Sequence, residues 1–313
     1  MKERNHICPI TYTPIPANEK YSIKGLKLLS PKLQNLKDLP YTAEQQLREA
    51  SLHADKMSIQ GVQPKLSAKL ELKNQSFVIC DVGGLYILKP PNKMYAELPE
   101  NEDLSMRLAE GLIEIPLHGL LYCIDGSLTY FIKRFDRVVH GNRIPVEDFG
   151  QLAGLNRDTK YEYSMEKLIT ITEKYCTFPA IEKSKLFTRV VFNYLIGNED
   201  MHLKNYSLIT RGKIIELTPA YDFINTTIAI GNAKEQIALP LNGKKNNLTR
   251  TDIVEYYGTQ KLGLNSVIIT KILKSFSDAI PRWRNLIEIS FLSETAKKNY
   301  HLVLDKQIKI LGI

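Results

Sequence analysis

The chain has 313 residues, 43% hydrophobic and 24% charged, a balance typical of soluble globular folds with one large or two medium cores. The net charge of +8 suits an acidic partner or a polyanionic nucleotide, although the basic residues are dispersed as on an ordinary solvated surface. Cys8, Cys80, Cys123 and Cys176 stand far apart without CxxC spacing, which argues against a zinc site or a disulfide framework. No signal-peptide core and no apolar run of about 18 residues is present, so the expectation is a cytoplasmic protein with reduced thiols.

Residues 1–40 read as loop, punctuated by Pro9, Pro14, Pro16, Pro31 and Pro40. A helix is predicted from Thr42, where Thr42-x-x-Gln45 forms a capping box and Leu47 and Ala50 mark an apolar side. The loop Met57–Lys65 holds a single glycine, Gly61, and precedes a strand over 66–72 with alternating apolar and polar residues. Strands over 77–81 and 85–88 follow, with Gly83-Gly84 as the turn between them. The second ends in Lys89-Pro90-Pro91, and a helix opens at Pro99-Glu100-Asn101-Glu102 and runs through Leu104, Leu108 and Leu112.

A hairpin over 120–124 and 127–133 turns at Asp125-Gly126. After Arg134 the pattern becomes helical, over 146–153, 164–174 and 184–196. A short hairpin over 206–209 and 213–217 turns at Arg211-Gly212. A polar loop (243–247) and helices over 251–257, 265–275 and parts of 278–309 complete the chain. The order predicts an α+β, two-lobed protein-kinase-like fold, with a strand-rich lobe over 1–137 and a helical lobe over 138–313.

The chemistry concentrates in Gly197–Ser207. Asp200 stands five residues before Asn205, and Asp222 follows Asn205 by 17. Protein kinases use this order. The first carboxylate orients the attacking hydroxyl, and the Asn and second Asp hold magnesium on the nucleotide. Each of the three, taken alone, also suits a turn. Lys204 reads as a contact to the transferring phosphate or to the Asp200 carboxylate, or else as a solvent-exposed lysine, and His202 either as a site residue or as a packed histidine. Lys89, 13 residues before Glu102, fits the strand lysine that a helix glutamate pairs with; Glu97 and Glu100 are rival partners, and an edge-strand surface lysine is the plain alternative. The segment Ser58–Lys65 occupies the place of a phosphate-covering loop, where Gly61 lets backbone approach phosphate and Ser58 offers an acceptor hydroxyl, with Ser67 and Ser105 as rivals.

Seven motifs in register carry a family resemblance: Gly61–Lys65, Tyr86–Pro90, Pro99–Glu102, Lys133–Arg137, Glu147–Gln151, Gly197–Asn205 and Thr218–Asp222. Together they resemble the HipA family of bacterial serine/threonine kinase toxins. The resemblance implies a kinase-like fold, ATP and Mg²⁺, with Asp200 as catalytic base and Asn205 and Asp222 as magnesium ligands. It further implies Lys89, Gly61, Val62 and Gln63 on the phosphates, residues 131–135, including Lys133 and Phe135, as the hinge beside adenine, Gln151 as a nucleotide contact, and Ser58 as an autophosphorylated serine. The chain begins close to the kinase loop, like the short HipT form of a three-part toxin–antitoxin system. That form implies a HipS-like small protein and a HipB-like DNA-binding antitoxin as partners. The family's targets are aminoacyl-tRNA synthetases, and the short form implies the tryptophanyl enzyme. A small-molecule kinase working on a sugar or antibiotic, or a non-catalytic regulator of the toxin–antitoxin complex, are the alternatives.

Overall fold

A computed structural model describes residues 6–53, 64–138, 142–155, 161, 163–231 and 235–313. Its contacts divide into two compact units. The first comprises Met1–Leu104, Pro116–Gly141 and Glu288–Leu292; the second comprises Ser105–Ile115, Asn142–Ile287 and Ser293–Ile313.

The first unit is built on a five-stranded antiparallel sheet. Its strands are β1 (Leu66–Glu71), β2 (Ser76–Ile79), β3 (Tyr86–Lys89), β4 (His118–Tyr122) and β5 (Leu128–Lys133), in the order β2-β1-β3-β5-β4. The hairpin at Asp125-Gly126 forms as the sequence predicts, with Gly126 at φ 80°. Gly83-Gly84 does not close a hairpin: β2 and β3 both pair with β1, which lies between them. Gly84 instead packs onto β1, where a Cβ would lie 2.0 Å from Ser67 Oγ.

The proline-rich N-terminal stretch is more ordered than a loop reading allows. Ser22 caps a short helix, α1 (Ile23–Leu29), by accepting from Gly25 N–H at 3.0 Å. Leu26, Leu29, Leu33, Leu36 and Leu39 then bury into one core with Phe77, Leu88 and Phe131. The segment is stitched to the sheet by Leu39 N–H to the Tyr122 carbonyl, 2.8 Å. Helix α2 (Ala43–His53) starts behind the expected capping box: Gln45 N–H meets Thr42 Oγ1 at 3.1 Å and Thr42 N–H meets Gln45 Oε1 at 2.9 Å. Helix α3 (Leu98–Ala109) ends before Leu112; Leu98–Leu104 belong to the first unit and Ser105–Ala109 to the second.

In the second unit, residues expected as one helix over 146–153 split into a strand, β6 (Val146–Asp148), and one turn, α4 (Phe149–Leu152). Pairing decides this: β6 joins β7 (Ser207–Arg211), which pairs with β8 (Ile214–Leu217). Helices α5 (Met165–Tyr175), α6 (Pro179–Ile196), α7 (Thr226–Ile230), a π-helix (Thr251–Lys261), α8 (Ser266–Ile289, whose last two residues belong to the first unit) and α9 (Glu294–Leu311) make up the rest. Pro281 sits inside α8 without ending it, next to the buried Trp283, whose indole N–H donates to the Leu108 carbonyl at 2.8 Å. Phe192 of α6 packs on Phe223 (4.8 Å between centroids) and Trp283 (5.7 Å), tying α6 to the segment after β8. Among the described residues no helix is long and apolar enough to cross a membrane. Cys8, Cys80, Cys123 and Cys176 are free thiols.

Candidate active site

The second unit carries the loop that follows α6. Helix α6 is stopped by Gly197 in the left-handed region (φ 70°), the position that glycine occupies at least cost. The chain after it is fixed atom by atom. Thr226 Oγ1 accepts from Glu199 N–H at 2.7 Å and donates to the Gly197 carbonyl at 3.0 Å. Asn205 Nδ2 donates to the Asp200 carbonyl at 3.0 Å, closing the stretch between the two predicted site residues into one turn. His202 is buried, and its backbone N–H also donates to the Asp200 carbonyl, at 2.8 Å.

Asn198 is the organiser that motif spacing does not assign. It is buried, its Oδ1 accepts from Asp200 N–H at 3.1 Å, and its Nδ2 donates to Asn193 Oδ1 at 2.8 Å and, more weakly, to the Asp222 carbonyl at 3.5 Å. One carboxamide therefore links the Asp200 loop to the Asp222 segment. The Asn198-Glu199 pair that stands ahead of Asp200 is thus a structural part, and its signal in the sequence is only that it lies inside the motif. Asp222 itself is half-buried at φ 58°, a non-glycine residue in the left-handed region. Asp tolerates that conformation better than most residues, and such outliers persist where the surroundings hold them.

The supports reach further back. Tyr221 donates to the Lys204 carbonyl at 3.0 Å and shares a hydrogen bond with Ser207 Oγ. The buried Arg189 of α6 donates to the Thr218 carbonyl, anchoring the chain just ahead of Asp222. Lys204 is half-buried, its side-chain stem against Gly150, where a Cβ would lie 3.4 Å from Lys204 Cγ. Gln151 is exposed and closes a capping box on α4, its Oε1 accepting from Asp148 N–H at 2.9 Å, so its carboxamide oxygen is engaged there.

The Asp200 carboxylate accepts a hydrogen bond on Oδ1 from Tyr161, a residue that no motif flagged. Burial first, then that bond and the charges of Asp200, Glu235 and Glu199, push the Tyr161 phenol above its usual range.

In the first unit β3 delivers Lys89 into a buried position, where it forms an ion pair with Glu102 of α3; both side chains are 2% exposed. Glu102, one of the three candidate glutamates, meets Lys89. The Lys89 ammonium also lies 5.6 Å from the ring centroid of Tyr130, its cross-strand partner on β5. Behind the pair, Asp103 and His118 form a second buried contact at 3.0 Å. Glu100 sits in the first turn of α3, and burial, reinforced by Glu97 and Asp103 against its own backbone hydrogen bond, raises its carboxyl to about 7.

At the end of β5, Lys133 is exposed and Phe135 half-buried. The backbone there is tied by Lys133 N–H to the Leu117 carbonyl and Arg134 N–H to the Leu85 carbonyl, both 2.8 Å. Asp136 is clamped by Arg134 and Arg137, each at 2.8 Å. Burial alone would raise its pKa, but the two guanidiniums hold it below the usual range. The Lys133–Arg137 motif therefore has a structural role at its charged end. Ser58, Gly61, Val62 and Gln63 lie outside the described residues. Of the rival acceptor serines, Ser67 is buried within β1 and Ser105 is buried with its hydroxyl on Tyr300 at 2.9 Å.

Among the described residues no cluster of three or more His, Cys, Asp and Glu is placed to hold a metal. Asn205 and Asp222 offer oxygen donors of the kind that magnesium prefers. Asn205 commits its amide nitrogen to the Asp200 carbonyl and so turns its oxygen away from that bond, and Asp222 adds a carboxylate. Two oxygen donors, completed by substrate phosphates and water, are how magnesium is commonly held, in contrast to an all-protein cage.

A family model described as the HipA-like C-terminal domain matches residues 57–283. A protein of Haemophilus influenzae named "Putative kinase" is 28% identical over 324 residues, covering 92% of each chain. The serine/threonine-protein kinase toxin HipA of Shewanella oneidensis is 26% identical over 253 residues, spanning 72% of this chain but only 57% of the toxin. A solved complex of Shewanella oneidensis HipA with HipB and operator DNA superposes over 90% of this chain and 74% of that one, at TM-score 0.67 and 21% identity. At that identity the likeness establishes the fold, which is that of a HipA-type kinase: an antiparallel sheet with a helical C-terminal part.

Proposed function

The chain belongs to the HipA-like C-terminal domain family, and we propose from there that it is a serine/threonine protein kinase toxin. It transfers the γ-phosphoryl group of ATP to a serine of a translation component. The observation that carries this reading is the Asn198 carboxamide, which fixes Asp200 and reaches the Asp222 carbonyl at the same time. A turn acid needs no such scaffold, whereas phosphoryl transfer depends on positioned carboxylates.

In the proposed reaction Asp200 accepts the hydrogen bond of a seryl hydroxyl and orients its oxygen towards the γ-phosphorus. As the new P–O bond forms, the bond to the ADP oxygen breaks and the seryl proton is left with Asp200. Lys89, held by Glu102, steadies the nucleotide phosphates. Asn205 and Asp222 would hold Mg²⁺, which supplies charge neutralisation on the phosphates. Lys204 is a candidate for the transferring phosphate and Gln151, Lys133 and Phe135 for the nucleotide. Gly61, Val62 and Gln63 are kept as candidates for the phosphate-covering loop and Ser58 for self-modification. The burial of Ser67 and Ser105 favours Ser58 as acceptor.

The proposed partners are a HipB-like antitoxin and a HipS-like small protein, the first supported by the HipB and operator DNA in the Shewanella complex. The proposed substrate is an aminoacyl-tRNA synthetase, tryptophanyl first. Phosphoproteomics after expression of wild type and Asp222→Ala tests the reading. The expected result is a synthetase serine and Ser58 phosphorylated in the wild type only. Identical phosphopeptides in both cultures would overturn it.

A further inference from the structure

We propose that Tyr161 is a place-holder for the acceptor hydroxyl, seated on the Asp200 oxygen that a substrate serine must reach and so discriminating a seryl hydroxyl from water. This rests on Asp200 being the catalytic base. The Tyr161 hydroxyl is the hydrogen-bond partner that the described residues give the Asp200 carboxylate, through Oδ1. A serine about to be phosphorylated must make that same O–H to carboxylate bond. The phenol therefore sits on the oxygen that the acceptor hydroxyl must reach.

Neighbouring groups keep the ring there. It meets the buried His202 edge-on, with centroids 5.2 Å apart, and the Lys245 ammonium lies 5.9 Å from its centroid. Lys245 is itself held by Glu235 at 3.2 Å. Yet Tyr161 is 39% exposed, so turning outward removes only part of its packing. The phenol stays protonated and donating, because burial and the nearby carboxylates of Asp200, Glu235 and Glu199 disfavour its anion.

Displacing the phenol breaks a charge-assisted hydrogen bond. A protein substrate brings binding energy from its whole interface to offset that loss, whereas water brings none. The consequence is slow wasteful hydrolysis. In that side reaction the oxygen of water bonds to the γ-phosphorus, its proton passes to Asp200, and the bond to ADP breaks.

The test compares phosphate release from Mg-ATP by the purified full chain, without protein substrate, in wild type, Tyr161→Phe, Asp200→Asn and the double variant. Tyr161→Phe keeps the ring on His202 and removes the hydroxyl. It is expected to raise hydrolysis about tenfold, the factor that corresponds to 1.4 kcal/mol, without reducing protein labelling in a lysate. The double variant is expected to match Asp200→Asn. Unchanged or slower hydrolysis by Tyr161→Phe, with an unaltered melting temperature, overturns the role. Phosphate found on Tyr161 itself in the wild type also overturns it, because the tyrosine would then be an acceptor. Equal hydrolysis and labelling by wild type and Asp200→Asn is a separate result: it removes Asp200 as base and the place-holder with it.

Discussion

Replacing Glu102 by alanine isolates the buried ion pair of the first unit. Lys89 and Glu102 are each 2% exposed, so the deletion leaves an ammonium in a place that water scarcely reaches. Removing one partner of a buried pair costs about 3–5 kcal/mol. The Tyr130 ring, 5.6 Å from the ammonium, offsets part of this, since cation–π contacts are worth about 0.5–2 kcal/mol. The net expectation is a loss of about 3 kcal/mol. Equilibrium urea unfolding followed by circular dichroism reads it directly. With a slope of about 3 kcal/mol per molar, the midpoint falls by about 1 M. The decisive control is Lys89→Met with Glu102→Leu, which removes both charges and keeps the volume. Such replacements are often neutral or stabilising, so the double variant should recover most of the midpoint while failing to bind nucleotide. A Glu102→Ala midpoint within error of wild type, or a double variant no better than the single one, would refute the reasoning.

Further outcomes follow from other positions. Glu100 titrates at about 7 in the folded chain, well above the ordinary value of 4.5 for glutamate. The folded state therefore holds this proton more tightly than the unfolded state, and stability falls as pH rises from about 4.5 to 7. Glu100→Gln should flatten that part of the profile and stabilise the protein by up to about 3 kcal/mol at pH 8, checked by urea midpoints across pH. Gly197→Ala places a Cβ 2.7 Å from Val303 Cγ1 and 2.8 Å from Thr227 Oγ1 at φ 70°. Strain of about 2 kcal/mol or more is expected, seen as a lower melting temperature together with lost phosphoryl transfer.

Where local chemistry decides the structure, the sequence is readable. The Thr42 capping box, the Asp125-Gly126 hairpin, the glycine stop at Gly197 and the offset from Lys89 to Glu102 all rest on groups a few residues apart or on one strand-to-helix step. The rest depends on partners far away in the chain. Val146–Asp148 has no strand period of its own and becomes one by pairing with Ser207–Ile209. Strand β1 lies between β2 and β3 through pairing with both, and Gly84 leaves room beside Ser67 for that arrangement. Helix α1 is seven residues long, too short for a periodic signal, and forms because Leu26 and Leu29 complete a core that Phe77 and Phe131 begin. Tyr161 had no signal at all, since its meeting with Asp200 across 39 residues belongs to the fold and not to any spacing. Asn198 was visible as a letter in a motif; its bonds to Asn193, Asp200 and Asp222 give it a reason.

The central claim is that Asp200 serves phosphoryl transfer to protein hydroxyls. Its most direct test is incubation of the purified chain with γ-labelled ATP, Mg²⁺ and a bacterial lysate, in parallel with Asp200→Asn. The wild type is expected to label itself and at least one synthetase-sized protein, while Asp200→Asn, of equal melting temperature, labels neither. Equal incorporation by the two proteins, or transfer solely to a small molecule, would contradict the account.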